Sequence, residues 1–120
     1  MLQVDMEKFV LLKKAHQLVL GIYGVTKSFP GDECYGLTSQ IRRAAVSIPS
    51  NIVEGKARNA NNDYKRFLLI ARGSLEELKY QLFLSKDLGY LDHESFNDLS
   101  ELSVEVSKLL NGVISSIDRG

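Results

Sequence analysis

The chain has 120 residues, with 15 basic and 15 acidic side chains and no net charge. Its apolar fraction of 44% and charged fraction of 25% are those of one globular domain. No apolar run approaches the roughly 20 residues that span a bilayer, and Met1 is not followed by a basic region and a long apolar core, so neither a membrane span nor a secretory signal is expected. The single cysteine, Cys34, forms no internal disulfide, which favours a reducing cytoplasm.

The charge is unevenly distributed along the chain. Residues 42–72 hold seven basic and two acidic side chains, a net of +5, whereas residues 73–120 hold four basic and nine acidic ones, a net of −5. This asymmetry suits an anionic partner such as RNA or DNA, a neighbouring subunit, or the pairing of adjacent helices. The candidate nucleic-acid-binding residues are Arg42, Lys56, Arg58, Lys65 and Arg66.

The first helix is predicted over residues 6–27, because apolar side chains recur there at three- and four-residue steps. Its stripe is Leu11, Ala15, Leu18, Ile22 and Val25. The segment F-P-G-D-E-C breaks the pattern, since Pro30 holds Phe29 out of the helical region, and Asp32 is the expected N-cap of the next helix. The second helix is predicted over residues 33–57, with Glu33 in its first turn. Its stripe is Leu37, Ile41, Ala45, Ile48 and Ile52.

A proline lies inside the second predicted helix. Pro49 has no amide hydrogen and clashes with the carbonyl of Ala45, so it must kink or interrupt the helix. Because the apolar stripe continues through Ile48 and Ile52, we predict a continuous helix that is kinked at Pro49.

The third helix is predicted over residues 62–87, after an Asn-rich turn in which Asn61 or Asn62 is the expected cap. Gly89 is expected to end it as a left-handed C-cap. The fourth helix is predicted over residues 93–117, with Asp92 as its N-cap. The third stripe is Tyr64, Phe67 or Leu68, Ala71, Leu75, Leu78 and Leu82. The fourth stripe is Leu99, Leu102, Val106, Leu109, Val113 and Ile117.

Four long helices joined by short turns, with no strand pattern, predict an all-α fold. Short connections make successive helices antiparallel neighbours. We therefore predict one domain over residues 1–120, an antiparallel up-down-up-down four-helix bundle.

No motif in the sequence predicts a cofactor, a metal or a catalytic centre. His16 and His93 lie on different predicted helices without the Glu-x-x-His spacing of bundle di-iron sites. Cys34 has no suggested His partner, and neither a P-loop nor a dinucleotide fingerprint is present. We predict that the protein is not an enzyme.

Polar residues follow one another at helical spacing in the middle of the second and third predicted helices. Facing each other, they would form a network such as Glu54 with Arg72 or Arg43 with Glu77, and such buried pairs fix register and partner choice more than they stabilise. The alternative is a pocket for a ligand or phosphate. We expect Arg43, Asn51 or Glu54 to bond to the third helix or to a neighbouring subunit. We call the set the polar seam: Gln40, Arg43, Asn51, Glu54, Gly55, Arg72, Gly73, Ser74 and Glu77.

Three segments carry a resemblance to a known family: L-T-S-Q-I-R-R-A-A-V-S-I-P-S-N-I-V-E-G (37–55), A-R-G-S-L-E-E-L (71–78) and K-D-L-G-Y-L (86–91). They are similar to the four-helix-bundle proteins encoded in intervening sequences of bacterial 23S ribosomal RNA genes. The polar seam and Pro49 are the positions that match the family's signature. The resemblance implies a cytoplasmic bacterial homo-oligomer, a pentameric ring, whose cellular role is unassigned.

A related branch is similar to the accessory protein of diversity-generating retroelements, which binds nucleic acid and works with a reverse transcriptase. Those relatives are strongly basic, whereas this chain is neutral. The leading hypothesis is a non-enzymatic, homo-oligomeric assembly protein, because the second predicted helix is apolar on two sides and the +5 and −5 segments could meet between subunits. The alternative is a nucleic-acid-binding ring that uses the basic 42–72 segment to bind RNA or DNA, with a reverse transcriptase as its protein partner.

Overall fold

The computed structural model describes residues 9–58 and 60–120. Helix α1 spans Val10–Thr26, α2 spans Leu37–Lys56, α3 spans Asn61–Asp87 and α4 spans His93–Arg119. A short 3-10 turn, Gly31–Glu33, precedes α2, and no strand occurs in the described part of the chain. The predicted all-α four-helix bundle is confirmed. The predicted start of the first helix, residues 6–8, lies outside the described residues.

Contacts between neighbouring helices run in opposite directions along the two partners. Ser47 of α2 meets Ser74 of α3, whereas Gly55, further along α2, lies against Phe67, further back on α3. The other neighbouring helices also run in opposite directions. For α1 and α2 the contacts are Thr26–Arg42 and Phe9–Lys56, and for α3 and α4 they are Lys65–Asp118 and Arg72–Asn111. For α1 and α4 they are Lys14–Glu105 and Gly21–Leu99. These contacts fit the up-down-up-down order, in which α1 also packs against α4.

The core lies along the apolar stripes that the sequence predicts for the first three helices. The stripe residues of α2 are all buried, and so are four of the five in α1, with Val25 half-buried. In α3 both Phe67 and Leu68 are buried, while Tyr64 is half-buried and packs against the core. Burying a leucine or isoleucine side chain is worth about 1.5–3 kcal/mol, so these stripes dominate the stability of the bundle.

Three of the six residues in the predicted stripe of α4 are one position away from the buried face, whereas Leu99 and Val106 are buried as predicted. Leu102, Leu109 and Val113 are only half-buried, whereas the fully buried face of α4 is Leu99, Ser103, Val106, Leu110 and Ile114. Ser103 hid this face from the sequence pattern because it is polar. Its hydroxyl donates to the carbonyl of Leu99 at 2.8 Å, so it enters the core with its hydrogen bond satisfied.

Helix α2 begins at Leu37 and not at residue 33, and Asp32 is not its cap. Pro30 and Gly31 begin a tight 3-10 turn, in which the amide of Cys34 donates to the carbonyl of Gly31. Gly36 occupies the N-cap position without a side chain to offer. Glu33 supplies the missing acceptor, since its Oε1 lies 3.0 Å from the amide nitrogen of Leu37.

The other helix ends match the predictions in two of three cases. Ala60 takes the N-cap position of α3, so Asn61 and Asn62 already lie inside the helix and the cap prediction there is wrong. Gly89 has φ +80°, as predicted. Its amide and that of Tyr90 bond back to the last turn of α3, which is a Schellman motif. The Asp92 carboxylate accepts from the amide of Ser95 at 2.7 Å, which confirms the cap of α4.

Helix α2 continues through Pro49 without a break. This confirms the continuous helix and excludes the two-piece alternative. The kink itself stays a prediction.

Candidate functional site

A polar cleft of about 530 Å³ lies between α2 and α3, and we call it the α2–α3 cleft. Its residues lie on the side of α2 that turns away from the buried stripe of Ile41, Ala45 and Ile48. The residues that line it are Ser39, Gln40, Arg43, Ala44 and Ser47 from α2, Ser74 and Glu77 from α3, and Tyr35 from the turn before α2. Ala44 is the one apolar residue among them besides Tyr35, so the lining consists mainly of hydrogen-bonding groups.

Two serines join the helices beside the cleft. Ser47 Oγ and Ser74 Oγ lie 2.8 Å apart. Asn51 Nδ2 donates to Ser47 Oγ at 3.0 Å and to the Ser47 carbonyl at 2.8 Å. The hydrogen bond between α2 and α3 is therefore made by the serines, while Asn51 orients one of them from the same helix.

The specific ion pairs expected across the polar seam do not form. Glu54 pairs with Arg58, which lies two residues beyond the end of α2, at 3.2 Å. Arg72 donates to Asn111 of α4 at 3.1 Å and so turns away from α2. Arg43 and Glu77 both line the α2–α3 cleft, yet within residues 9–58 and 60–120 neither makes a hydrogen bond or an ion pair. A contact of Arg43, Asn51 or Glu54 with a neighbouring subunit stays a prediction.

The two glycines of the polar seam differ in their surroundings. A Cβ on Gly55 would lie 2.7 Å from Phe67 Cβ and within 3.3 Å of two atoms of Tyr64, so this glycine permits the close approach of α2 and α3. Burial raises the pKa of the Tyr64 hydroxyl. A Cβ on Gly73 would meet no atom within 4 Å in the described part of the chain. Packing within one bundle therefore explains Gly55 and leaves Gly73 unexplained.

The structure brings four of the five candidate nucleic-acid-binding residues to one end of the bundle. Lys56, Arg58, Lys65 and Arg66 lie near the α2–α3 turn, whereas Arg42 lies elsewhere along α2 and donates to Thr26 Oγ1 at 2.8 Å. Three of the four pair with carboxylates: Arg58 with Glu54, Lys65 with Asp118 at 2.7 Å and Arg66 with Asp63 at 3.7 Å. Lys56 lies over the ring of Phe9. These intramolecular contacts reduce the positive charge that this end presents to a partner.

A second surface follows the outward side of α3, and it was not predicted from the sequence. We call it the α3 outer row: Leu69, Gly73, Glu76, Tyr80 and Phe83. Its steps of four and three residues place it on one helical face, away from the buried stripe that contains Leu75 and Leu78. Leu69, Tyr80 and Phe83 are 38%, 62% and 49% exposed. The spacing of the α3 outer row is visible in the sequence. It was missed because the apolar residues of this helix were assigned to its buried stripe.

The helices of the described residues include none that is long and apolar enough to cross a membrane. Within the same residues, no three His, Cys, Asp or Glu side chains are grouped so that they would hold a metal ion.

Comparison with known proteins gives this bundle a family. A model of the 23S rRNA-intervening sequence protein family matches residues 7–112, which is most of the chain. The chain belongs to this family. A crystal structure of a protein with unknown function from the S23 ribosomal protein family of Bacteroides thetaiotaomicron has 26% identical residues and a TM-score of 0.80. That alignment covers 87% of this chain and 97% of the other. No curated protein matches.

The polar seam residues fall into four local environments. Gln40, Arg43, Ser74 and Glu77 line the α2–α3 cleft, and Asn51 donates to Ser47 beside it. Glu54 and Gly55 lie towards the α2–α3 turn. Arg72 contacts α4, and Gly73 lies in the α3 outer row. The polar seam is thus a set of neighbouring features and not one continuous network.

Proposed function

We propose that this protein is a non-enzymatic assembly module, a homo-oligomeric helical bundle whose cellular role is unassigned. The observation that carries the proposal is the α3 outer row. A helix with a buried stripe on one side and an exposed apolar row on the other is suited to two packing partners, and the described residues of the bundle supply only one.

The apolar side chains of the α3 outer row are large enough to contribute to association. Complete burial of a Leu or Phe side chain contributes about 1.5–3 kcal/mol, so burying the exposed parts of Leu69, Tyr80 and Phe83 would contribute roughly 1 kcal/mol each. Aromatic residues are also enriched in protein–protein interfaces. Ile70 and Val46, both more than one-third exposed, extend the apolar surface towards α2.

Gly73 also supports the proposal that the α3 outer row is an interface. A glycine in a helix interior costs up to about 1 kcal/mol relative to alanine, and no atom of residues 9–58 or 60–120 lies within 4 Å of a Cβ built on Gly73. Since it lies between Leu69 and Tyr80 in the row, it allows the backbone of another chain to approach closely. We take this chain to be a second copy.

The number of copies follows from the resemblance to the 23S rRNA-intervening sequence proteins, which implies a ring of five. A closed ring uses two different surfaces of each copy, and the α3 outer row supplies one of them. Neither the matching family description nor the similar crystal structure names a catalytic activity.

Light scattering coupled to gel filtration tests the proposal at micromolar concentration. We expect a mass several times that of the 13.4 kDa chain, and five times it for a pentamer. The double substitution Leu69→Lys and Tyr80→Lys should shift the mass towards that of one chain, because it places charges in the interface. Leu20→Lys is the matched control, since Leu20 is similarly exposed but lies on α1. A monomeric wild type, or a double variant that assembles normally, would contradict the proposal.

The second candidate is a nucleic-acid-binding ring. It is supported by the positions of Lys56, Arg58, Lys65 and Arg66 at one end of the bundle, because a ring would repeat this basic end around its axis. The carboxylate partners of three of these residues weigh against strong binding by a single copy. RNA or DNA is the expected ligand, and a reverse transcriptase remains the proposed protein partner.

A further inference from the structure

The α2–α3 cleft presents two opposite charges that the bundle does not pair. Arg43 comes from α2 and Glu77 from α3, and within the described residues each lacks an ionic or hydrogen-bonded partner. Three other acids on these helices behave differently, since Glu54, Asp63 and Glu76 each pair with a base three or four residues further along the chain. The lining of the cleft thus offers a donor fork and an acceptor to a bound molecule.

The balance of these charges selects the class of ligand. A simple anion such as phosphate would be attracted by Arg43 and repelled by Glu77, and a simple cation would be attracted by Glu77 and repelled by Arg43. A guanidinium matches a carboxylate in a two-bond geometry, and a carboxylate accepts well from an ammonium group. We propose that the α2–α3 cleft binds a small zwitterion of the α-amino acid class, with its carboxylate on Arg43 and its ammonium on Glu77. This inference goes beyond the proposed assembly and does not depend on it.

The serine pair supplies a further donor. Ser47 and Ser74 together have two hydroxyl hydrogens, and the bond between them uses one. Asn51 donates to Ser47 and therefore uses no hydroxyl hydrogen. One hydroxyl hydrogen remains for the ligand carboxylate, beside the guanidinium of Arg43.

The size and the remaining lining of the cleft fit a molecule of this class. A volume of about 530 Å³ falls within the range of small-molecule sites. The methyl side chain of Ala44 leaves space on the α2 wall. Tyr35 is 96% exposed and also lines the cleft, so its ring is free to cover the side chain of a bound amino acid.

Chemical-shift mapping of the full-length protein tests the inference, with the common L-amino acids added one at a time as probes. We expect at least one of them to shift the amide signals of Arg43, Ser47, Ser74 and Glu77. The N-acetyl derivative and the amide of that amino acid should bind at least about tenfold more weakly, because each removes one charge-assisted contact.

Substitutions separate the two contacts. Arg43→Gln and Glu77→Gln should each weaken binding at least about tenfold, whereas the control Glu76→Gln, one residue away and outside the cleft, should not. Exchanging the charges in the double variant R43E/E77R should restore binding relative to either single variant, since a zwitterion can bind in the reverse orientation.

Three outcomes would overturn the inference. The first is the absence of shifts at up to about 10 mM of every probe, where even a millimolar site is mostly filled. The second is binding that survives in the R43Q/E77Q double variant. The third is a set of cleft signals that shift only with protein concentration, which would show that a second copy fills the cleft.

Discussion

At the scale of single residues, two glycines in helix interiors illustrate opposite physical situations. Gly55 lies where α2 and α3 approach each other, and a methyl group there would overlap Phe67 Cβ at 2.7 Å. Gly24 lies on an exposed face of α1 with no atom within 4 Å of a built Cβ in the described residues. Helix propensity favours alanine at both positions, but only Gly24 has the space for it.

We therefore expect Gly55→Ala to lower the free energy of unfolding by about 1–3 kcal/mol, because two backbones must move apart. Gly24→Ala should raise it by up to about 1 kcal/mol. Urea denaturation followed by circular dichroism measures both. A Gly55→Ala variant as stable as the wild type would show that the α2–α3 contact is looser than described.

The identities of the polar seam residues were predictable from the sequence, but their partners were not. Glu54 was expected to reach Arg72 on the facing helix, yet Arg58 lies four residues further along the chain, just beyond the end of α2, and pairs with it there. A local pair of this kind requires less ordering than a pair between helices. Spacing along the chain therefore identifies which face is polar and leaves open which charges remain unpaired.

At the scale of helices, the beginning of α2 depends on a side chain that precedes it. Glu33 accepts the Leu37 amide through Oε1 and the Tyr90 hydroxyl through Oε2, at 3.0 and 2.8 Å. The Tyr90 ring also packs against Phe29, with centroids 5.4 Å apart. The hydrogen bond from the Leu37 amide, and to a smaller extent the one from the Tyr90 hydroxyl, holds the pKa of Glu33 below its ordinary value. The hydrogen bond to Glu33 also raises the pKa of Tyr90.

This contact predicts a specific acid sensitivity. Because the pKa of Glu33 is lowered in the folded protein, its contribution to stability is complete above the ordinary glutamate pKa and is lost as the pH falls through the lowered value. Melting temperatures measured from roughly pH 5 to pH 2 should fall less steeply for Glu33→Gln than for the wild type. Asp32→Asn, at the neighbouring carboxyl, is the control and should follow the wild type. Equal slopes for Glu33→Gln and the wild type would contradict the assignment.

The buried face of α4 shows why periodicity alone misplaced one helix. Leu99 and Val106 belong to both the predicted and the buried face, whereas Leu102, Leu109 and Val113 of the prediction are one position away from the buried Ser103, Leu110 and Ile114. A pattern count favours the positions with more apolar side chains, while packing buries Ser103, whose hydroxyl donates to the Leu99 carbonyl. The stripe of α2 was correct, and that of α1 was correct except at its end, where Thr26 is buried and Val25 is half-buried.

At the scale of the whole molecule, the charge asymmetry of the sequence is partly neutralised by the fold. Lys65 of the basic segment pairs with Asp118 of the acidic one, and Arg72 turns towards α4. Antiparallel helices place the start of α3 beside the end of α4, so one base of the +5 segment is neutralised by one acid of the −5 segment within the chain. The bundle thus accounts for a small part of the asymmetry that suggested an anionic partner.

For the nucleic-acid candidate, we expect binding of duplex DNA or structured RNA to weaken at least about tenfold between 50 and 200 mM salt. Asp118→Asn should strengthen binding, because it releases Lys65 from its carboxylate. Asp98→Asn, an exposed acid near the opposite end of α4, is the control. Fluorescence anisotropy with labelled oligonucleotides measures these changes, and no binding by any variant at low salt would exclude this candidate.

Cys34 has a practical consequence for both proposals. It is the one cysteine of the chain, it is exposed, and it adjoins Tyr35 of the α2–α3 cleft. A thiol-reactive dye would therefore attach at one place per chain, beside the cleft, in a protein without tryptophan. Energy transfer between dyes on neighbouring copies would report how closely the clefts of an assembly are spaced, and quenching by added amino acids would report their occupancy in the same cuvette.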